Sequence, residues 1–273
     1  MDDIADSFDY KNKYAIIEFL NDMRDDENFK LVILTHNYDF YRTVRFRLRI
    51  FGESKLLSNR ENGALQLIED ELSENPFSDW KKKLSDPVIL IASIPFVRNL
   101  AEYVGNEEVF LRLTSLLHIK DETQTLTIAD LHGMYQQVLT AGSFEEFAAL
   151  TGTVYELIDG ACTDICDMDD DSLSLEQKIA LSIGIRLAAE NCLIEKINDP
   201  AYVSGISKSQ TNRLIKRYQG QAGCEQSVLN VMKRVSLMTP ENIHLNSLMF
   251  EPILDMSGNH LKSLYADVKA CTE

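Results

Sequence analysis

Apolar positions recur at helical spacing along most of the chain. Tyr14, Ile16, Ile17, Phe19, Leu20 and Met23 form the first such stretch and predict a helix. Lys30-Leu31-Val32-Ile33-Leu34-Thr35 then reads as a short buried strand, and a second helix is expected from about Tyr38 to Arg49. Asn59-Arg60-Glu61-Asn62-Gly63 reads as a turn joining Lys55-Leu56-Leu57 to Ala64-Leu65-Gln66-Leu67-Ile68 in a small hairpin. Loop, helix and strand in this order are of α/β type.

From Asn75-Pro76 onward helical periodicity dominates and β-branched alternation ends, which places a boundary near residue 75. Asp86-Pro87 followed by Val88, Ile89, Leu90, Ile91 and Ile94 predicts a capped, buried helix that Pro95 should kink or end. Further helices are expected over Thr127 to Thr140, Ser143 to Ile158 and Ser174 to Ile197. Ser143-Phe144-Glu145-Glu146 and Ser174-Leu175-Glu176-Gln177 match capping boxes. No repeat of solenoid period is visible. The fold class is therefore α+β, mostly α, with an α/β part over 1–75 and an all-helical part over 76–273.

Composition narrows the function. The 273 residues carry 43 acidic and 27 basic side chains, a net charge of -16, so any nucleic-acid contact has to come from locally gathered basic residues. The longest apolar run, Val88 to Val97, is about half of the ~20 residues that a membrane helix needs, and no signal sequence opens the chain. The expectation is a cytoplasmic protein with no membrane contact. Five cysteines without a CxxC pair support neither a disulfide framework nor a zinc knuckle. Cys162 and Cys166 share a helix face but lack further ligands, and reduced thiols are the favoured reading.

The amino terminus is the most specific region. Asp2-Asp3 is followed by Ala5-Asp6-Ser7-Phe8-Asp9, then by the first helix, then by the strand that ends Ile33-Leu34-Thr35-His36-Asn37. His36 thus stands at the carboxyl end of a strand, where open α/β sheets place ligands. This order resembles the closing third of an ABC-type ATPase head of the SMC and RecF-like branch, within the wider AAA grouping. There a Walker B acidic pair, a D-loop, a helix and a switch histidine follow one another. The resemblance implies that Asp2 helps to hold Mg²⁺ and Asp3 orients the attacking water. It also implies that Ser7 and Asp9 lie in a D-loop at a head-to-head homodimer interface and that His36 senses the γ-phosphate of ATP. Phosphoryl transfer calls for such groups. The chain departs from the pattern in having no GxxxxGK[ST] loop, no ABC signature, only Met1 before Asp2, and Asp3 where most ABC proteins carry Glu. The expectation is a truncated head lobe, completed by a missing amino-terminal ATPase half or by a partner chain.

Three features stand out in the helical part. The run Asp167-Met168-Asp169-Asp170-Asp171 lacks the Gly and terminal Glu of an EF-hand, and the acidic stretch from Glu156 to Glu176 reads as a solvated linker. Lys208, Arg213, Lys216 and Arg217 lie in a stretch free of acid from Ala201 to Cys224. That stretch is either a contact to an RNA or DNA backbone or a basic face that balances an acidic protein. Arg45, Arg47 and Arg49, interleaved with Phe46, Leu48 and Ile50, read as a solvated face instead.

Arg186 and Glu190 are one helical turn apart, and His244 and Asn246 follow later. Arginine, carboxylate and histidine suffice for metal-independent RNA cleavage, whereas an Arg-Glu pair at this spacing is also a common surface ion pair. The order is similar to the RxxxE pair and later His of HEPN-like anticodon nucleases of the PrrC and RloC type. The two resemblances imply an ATP-gated protein with a helical effector domain, a possible ribonuclease, serving phage defence or nucleic-acid maintenance. The rival reading is a non-catalytic interaction subunit that docks on a separate ATPase or nuclease.

Overall fold

The computed structural model describes residues 10–35, 37–61, 64–69, 76–147, 149–169, 173–239 and 256–271. The chain divides into two compact units, 1–74 and 75–273. The described residues are mostly helical, with a single two-stranded sheet.

In the first unit, α1 (Tyr10–Asp25) and α2 (Tyr38–Arg47) pack through Ile17 and Leu20 against Phe40, Val44 and Leu48. Leu31, Ile33 and Ile50 pack around that cluster. Asn37 caps α2, its side chain accepting from the Phe40 N–H at 2.8 Å. At the other end the Ile50 N–H reaches the Arg45 carbonyl and the Arg49 N–H reaches Phe46, a Schellman arrangement. Arg49 occupies its left-handed position at φ 50°, where glycine is usual. The expected hairpin forms, but Asn59, Arg60 and Glu61, read as turn, belong to its first strand: β1 (Leu56–Glu61) pairs antiparallel with β2 (Ala64–Glu69), Leu56 opposite Glu69 and Glu61 opposite Ala64.

The expected strand over Lys30 to Thr35 is corrected. Residues 30–35 contain one bridge residue, Leu34, and no strand, because the only sheet among the described residues is the hairpin. The segment keeps the period of a strand. Leu31 and Ile33 pack inward, while Val32 and Leu34 face solvent at 69% and 57% exposure, so it is not buried either. The expected second helix ends two residues early, at Arg47, and of the arginines read as a solvated face Arg47 and Arg49 are exposed while Arg45 is half-buried.

The second unit is built on α8 (Leu175–Ile197), which packs against α4 (Pro87–Tyr103), α7 (Val154–Asp167), α10 (Gln210–Gln219) and α12 (Gly258–Ala270). Shorter helices complete it: α3 (Pro76–Trp80), α5 (Glu107–Thr114), α6 (Ile128–Val138), α9 (Pro200–Ser204) and α11 (Gln226–Met238). Ser174 opens α8 with the expected capping box. Apolar side chains surround α8 on all sides, the pattern of a helix at the centre of a domain. At Gly184 the helix approaches α7 so closely that an added Cβ would press into Cys162 Sγ.

Two helix expectations change. Pro95 does not end α4, which runs on to Tyr103. Burial of Leu90 to Asn99 outweighs the one backbone hydrogen bond that proline cannot donate. Ser143 caps no helix, because the segment is held elsewhere: Glu146, the partner a capping box needs, contacts His132 Nε2, and the Glu145 N–H donates to the Lys81 carbonyl while its carboxylate accepts from Ser85 N and Oγ. The helix begins at Val154 instead, with a capping box of Thr153 and Glu156. The acidic linker is likewise partly helical, since α7 runs to Asp167 and its Asp159 accepts from Tyr265 Oη and Lys269 Nζ of α12.

Candidate functional site

The residues read as an ATPase constellation, Asp2, Asp3, Ser7, Asp9 and His36, lie outside the described residues, as do His244 and Asn246. Two neighbours of His36 are placed: Asn37 caps α2, and its N–H donates to Thr35 Oγ1 at 3.1 Å.

Arg186 and Glu190 are placed, and neither is a surface residue. Because α8 is enclosed, their shared face points into the unit and both are buried. Arg186 Nη2 donates to the carbonyl of Thr239, the last described residue before position 240. Arg186 and Glu190 have separate partners among the described residues.

Glu190 is the centre of a polar node instead. Oε1 accepts from Thr211 Oγ1 at 2.6 Å and lies 2.8 Å from His118 Nδ1. Oε2 accepts from the Ile119 N–H at 2.9 Å and from Gln210 Nε2 at 2.8 Å. Gln210 Nε2 also donates to the Ile119 carbonyl at 2.6 Å. Burial pushes the Glu190 carboxyl upward, but the charge of His118 and the bonds from His118, Thr211 and Ile119 outweigh it, holding the group below the ordinary glutamate range.

This arrangement joins three parts of the second unit: the turn after α5, the centre of α8 and the start of α10. Lys120 Nζ strengthens it by donating to the Ile206 carbonyl at 3.0 Å. Chemically the node is closed. A carboxylate with its lone pairs taken by four protein donors organises its surroundings and has no acceptor left for a substrate. His118, Gln210 and Thr211 are members that sequence reasoning missed.

Lys208, Arg213, Lys216 and Arg217 are all exposed, the last three on one face of α10. Arg217 is engaged: it pairs with Asp199 at 2.9 Å and lies 5.1 Å over the Tyr202 ring. None of the five cysteines forms a disulfide among the described residues, and burial raises the Cys162 and Cys166 thiols above their ordinary value. Among the described residues no cluster of His, Cys, Asp and Glu fits a metal ion, and no helix is long and apolar enough to cross a membrane.

Comparison with protein-family models, with curated proteins and with solved structures finds no match to this chain.

Proposed function

We propose that this chain is the carboxy-terminal portion of an ABC-type, SMC- and RecF-like ATPase, acting in the cytoplasm in phage defence or nucleic-acid maintenance. Its first unit completes a nucleotide-binding head, and its second unit is the helical part controlled by ATP turnover. Within the head, Asp3 orients the attacking water and His36 donates toward the γ-phosphate. The Walker A half comes from another part of the assembly.

One observation carries this reading. Residues 30–35 alternate like a strand, hold Leu34 in a β-bridge, are apolar on both faces and lead straight into a capped helix. A run that is apolar on both faces is the signature of an interior strand of a parallel sheet. Exposed Val32 and Leu34 therefore favour a further sheet that takes up this segment. The closed node at Glu190 favours a transmitting role for the helical unit over RNA cleavage by Arg186, Glu190 and His244.

The test is ATP hydrolysis by the assembly recovered on the tagged chain from its own cell. Replacing Asp3 by Asn or His36 by Ala should lower turnover by about 100-fold or more. Unchanged turnover in both variants would sink the proposal and leave the non-catalytic docking subunit as the better account.

A further inference from the structure

Between Pro200 and Met238 the chain has six basic residues and one acidic residue, Glu225, although the whole protein has 43 acidic and 27 basic side chains. The structure gathers this excess onto one surface. α10 buries Gln210, Thr211, Leu214, Ile215 and Tyr218, so its outward face consists of Asn212, Arg213, Lys216, Arg217 and Gln219. That face holds neither a carboxylate nor an apolar side chain.

α11 extends it. Ser236 Oγ donates to Asn212 Oδ1 at 2.7 Å, which fixes the side of α11 that adjoins the α10 face. Lys233 stands one turn before Ser236 on that side and is exposed. Two of the six basic groups are neutralised locally, Arg217 by Asp199 and Arg234 by Asp267. Lys208, Arg213, Lys216 and Lys233 are exposed and form no ion pair among the described residues.

In a protein of net charge -16, carboxylates are abundant enough to pair with exposed cations. Four cations left unpaired on adjoining elements are set for an external anion. Their spread over two helices suits a chain of charges better than a single ion. The α10 face has no apolar side chain and α11 adds one exposed leucine, Leu237 at 79%, too little apolar surface to insert into lipid. Amide groups of Asn212 and Gln219 add donors suited to phosphate and sugar oxygens. Arg217 lying over the half-buried Tyr202 ring offers a planar stack beside the charges.

We propose that the α10–α11 face binds the phosphate backbone of a nucleic-acid strand without reading its sequence. Lys208, Arg213, Lys216 and Lys233 neutralise phosphates, and the Arg217–Tyr202 stack meets a base. This inference rests on the charge distribution of the second unit and stands independently of the ATPase proposal.

The test is fluorescence anisotropy of the full 273-residue chain with labelled single-stranded RNA, single-stranded DNA and duplex DNA. Binding should weaken with salt with a log–log slope of about -3, the value for four phosphate contacts on a single strand. Arg213→Glu with Lys216→Glu should weaken it by about 10-fold or more, through exposed positions that leave the fold intact by circular dichroism. The control, Lys82→Glu with Lys83→Glu on another exposed surface, should change it by less than about 2-fold. Preference among the three probes identifies which nucleic acid is bound. The proposal is overturned if none of them binds at low salt. It is also overturned if the α10 variant binds like the parent, or if vesicles rich in anionic lipid bind the same face more tightly.

Discussion

Glu190 Oε1 lies 2.8 Å from Nδ1 of His118, a residue 72 positions earlier in the chain. Through this contact a turn following α5 is fastened to the middle of α8. Because Gln210 and Thr211 bind the same carboxylate, the start of α10 is fastened there too. The basic face of α10 is thus oriented by a buried acid on its opposite side.

Removing the negative charge should be costly. Glu190→Gln replaces two acceptor oxygens by one acceptor and one donor, leaving the donors on one side without a partner. The loss should be about 3 kcal/mol, read as a lower urea midpoint for the second unit. A change within about 0.5 kcal/mol would show that the node does not hold the unit together.

The same carboxylate makes stability depend on pH with a definite sign. Its folded value is held below 4.5, so its contribution is complete above the ordinary glutamate value and is lost as pH falls through the lower folded value. The urea midpoint of the parent should fall from about pH 5 downward more steeply than that of Glu190→Gln. Parallel curves for the two proteins would remove Glu190 as a source of acid lability.

Gly184 permits the close approach of α7 and α8. Gly184→Ala sets a methyl group against Cys162 Sγ and should destabilise by about 1–3 kcal/mol. Cys162→Ala frees that space, so the double variant should lose less than the two single losses added together. Strict additivity in denaturant melts would place the strain elsewhere.

Arg49 ends α2 in the left-handed region, where a side chain costs about 1–2 kcal/mol. Arg49→Gly relieves that cost but gives back part of it through a freer unfolded chain. The net gain should be about 0.5 kcal/mol. It should appear as slower hydrogen exchange of the Val44 to Leu48 amides, and faster exchange would contradict it.

Of the helices of the second unit, α4, α6 and α8 were legible because each carries its own periodicity and, at Asp86, Thr127 and Ser174, its own cap, whereas α5, α10, α11 and α12 were not assigned from sequence. Where the reading failed, contacts distant in sequence decided the outcome. Ser143 has a valid capping pattern, but His132 holds Glu146, and Ser85 and the Lys81 carbonyl hold Glu145, in other roles. Of the two outcomes expected at Pro95, ending the helix does not occur, because burial carries α4 on to Tyr103.

Arg186 and Glu190 look like a surface pair until α8 is seen to be enclosed. The available signal was the apolar character all round Ile179 to Leu193, which marks a central helix. His118, Gln210 and Thr211 sit at a turn and a helix start, where no period marks them. For the segment 30–35 the alternation was legible, but the extent of pairing is set by other parts of the chain, and here it amounts to one bridge at Leu34.

The central claim concerns that segment, and exposed Val32 and Leu34 give it a direct test. Val32→Lys with Leu34→Lys should leave the first unit folded, since both side chains face solvent. The tagged parent chain, isolated from its own cell, should bring down ATP hydrolysis that is sensitive to His36→Ala. The Val32→Lys, Leu34→Lys chain should bring down little or none. If no ATPase accompanies the parent, or if the double variant recovers as much as the parent, the chain does not complete an ATPase head through this strand.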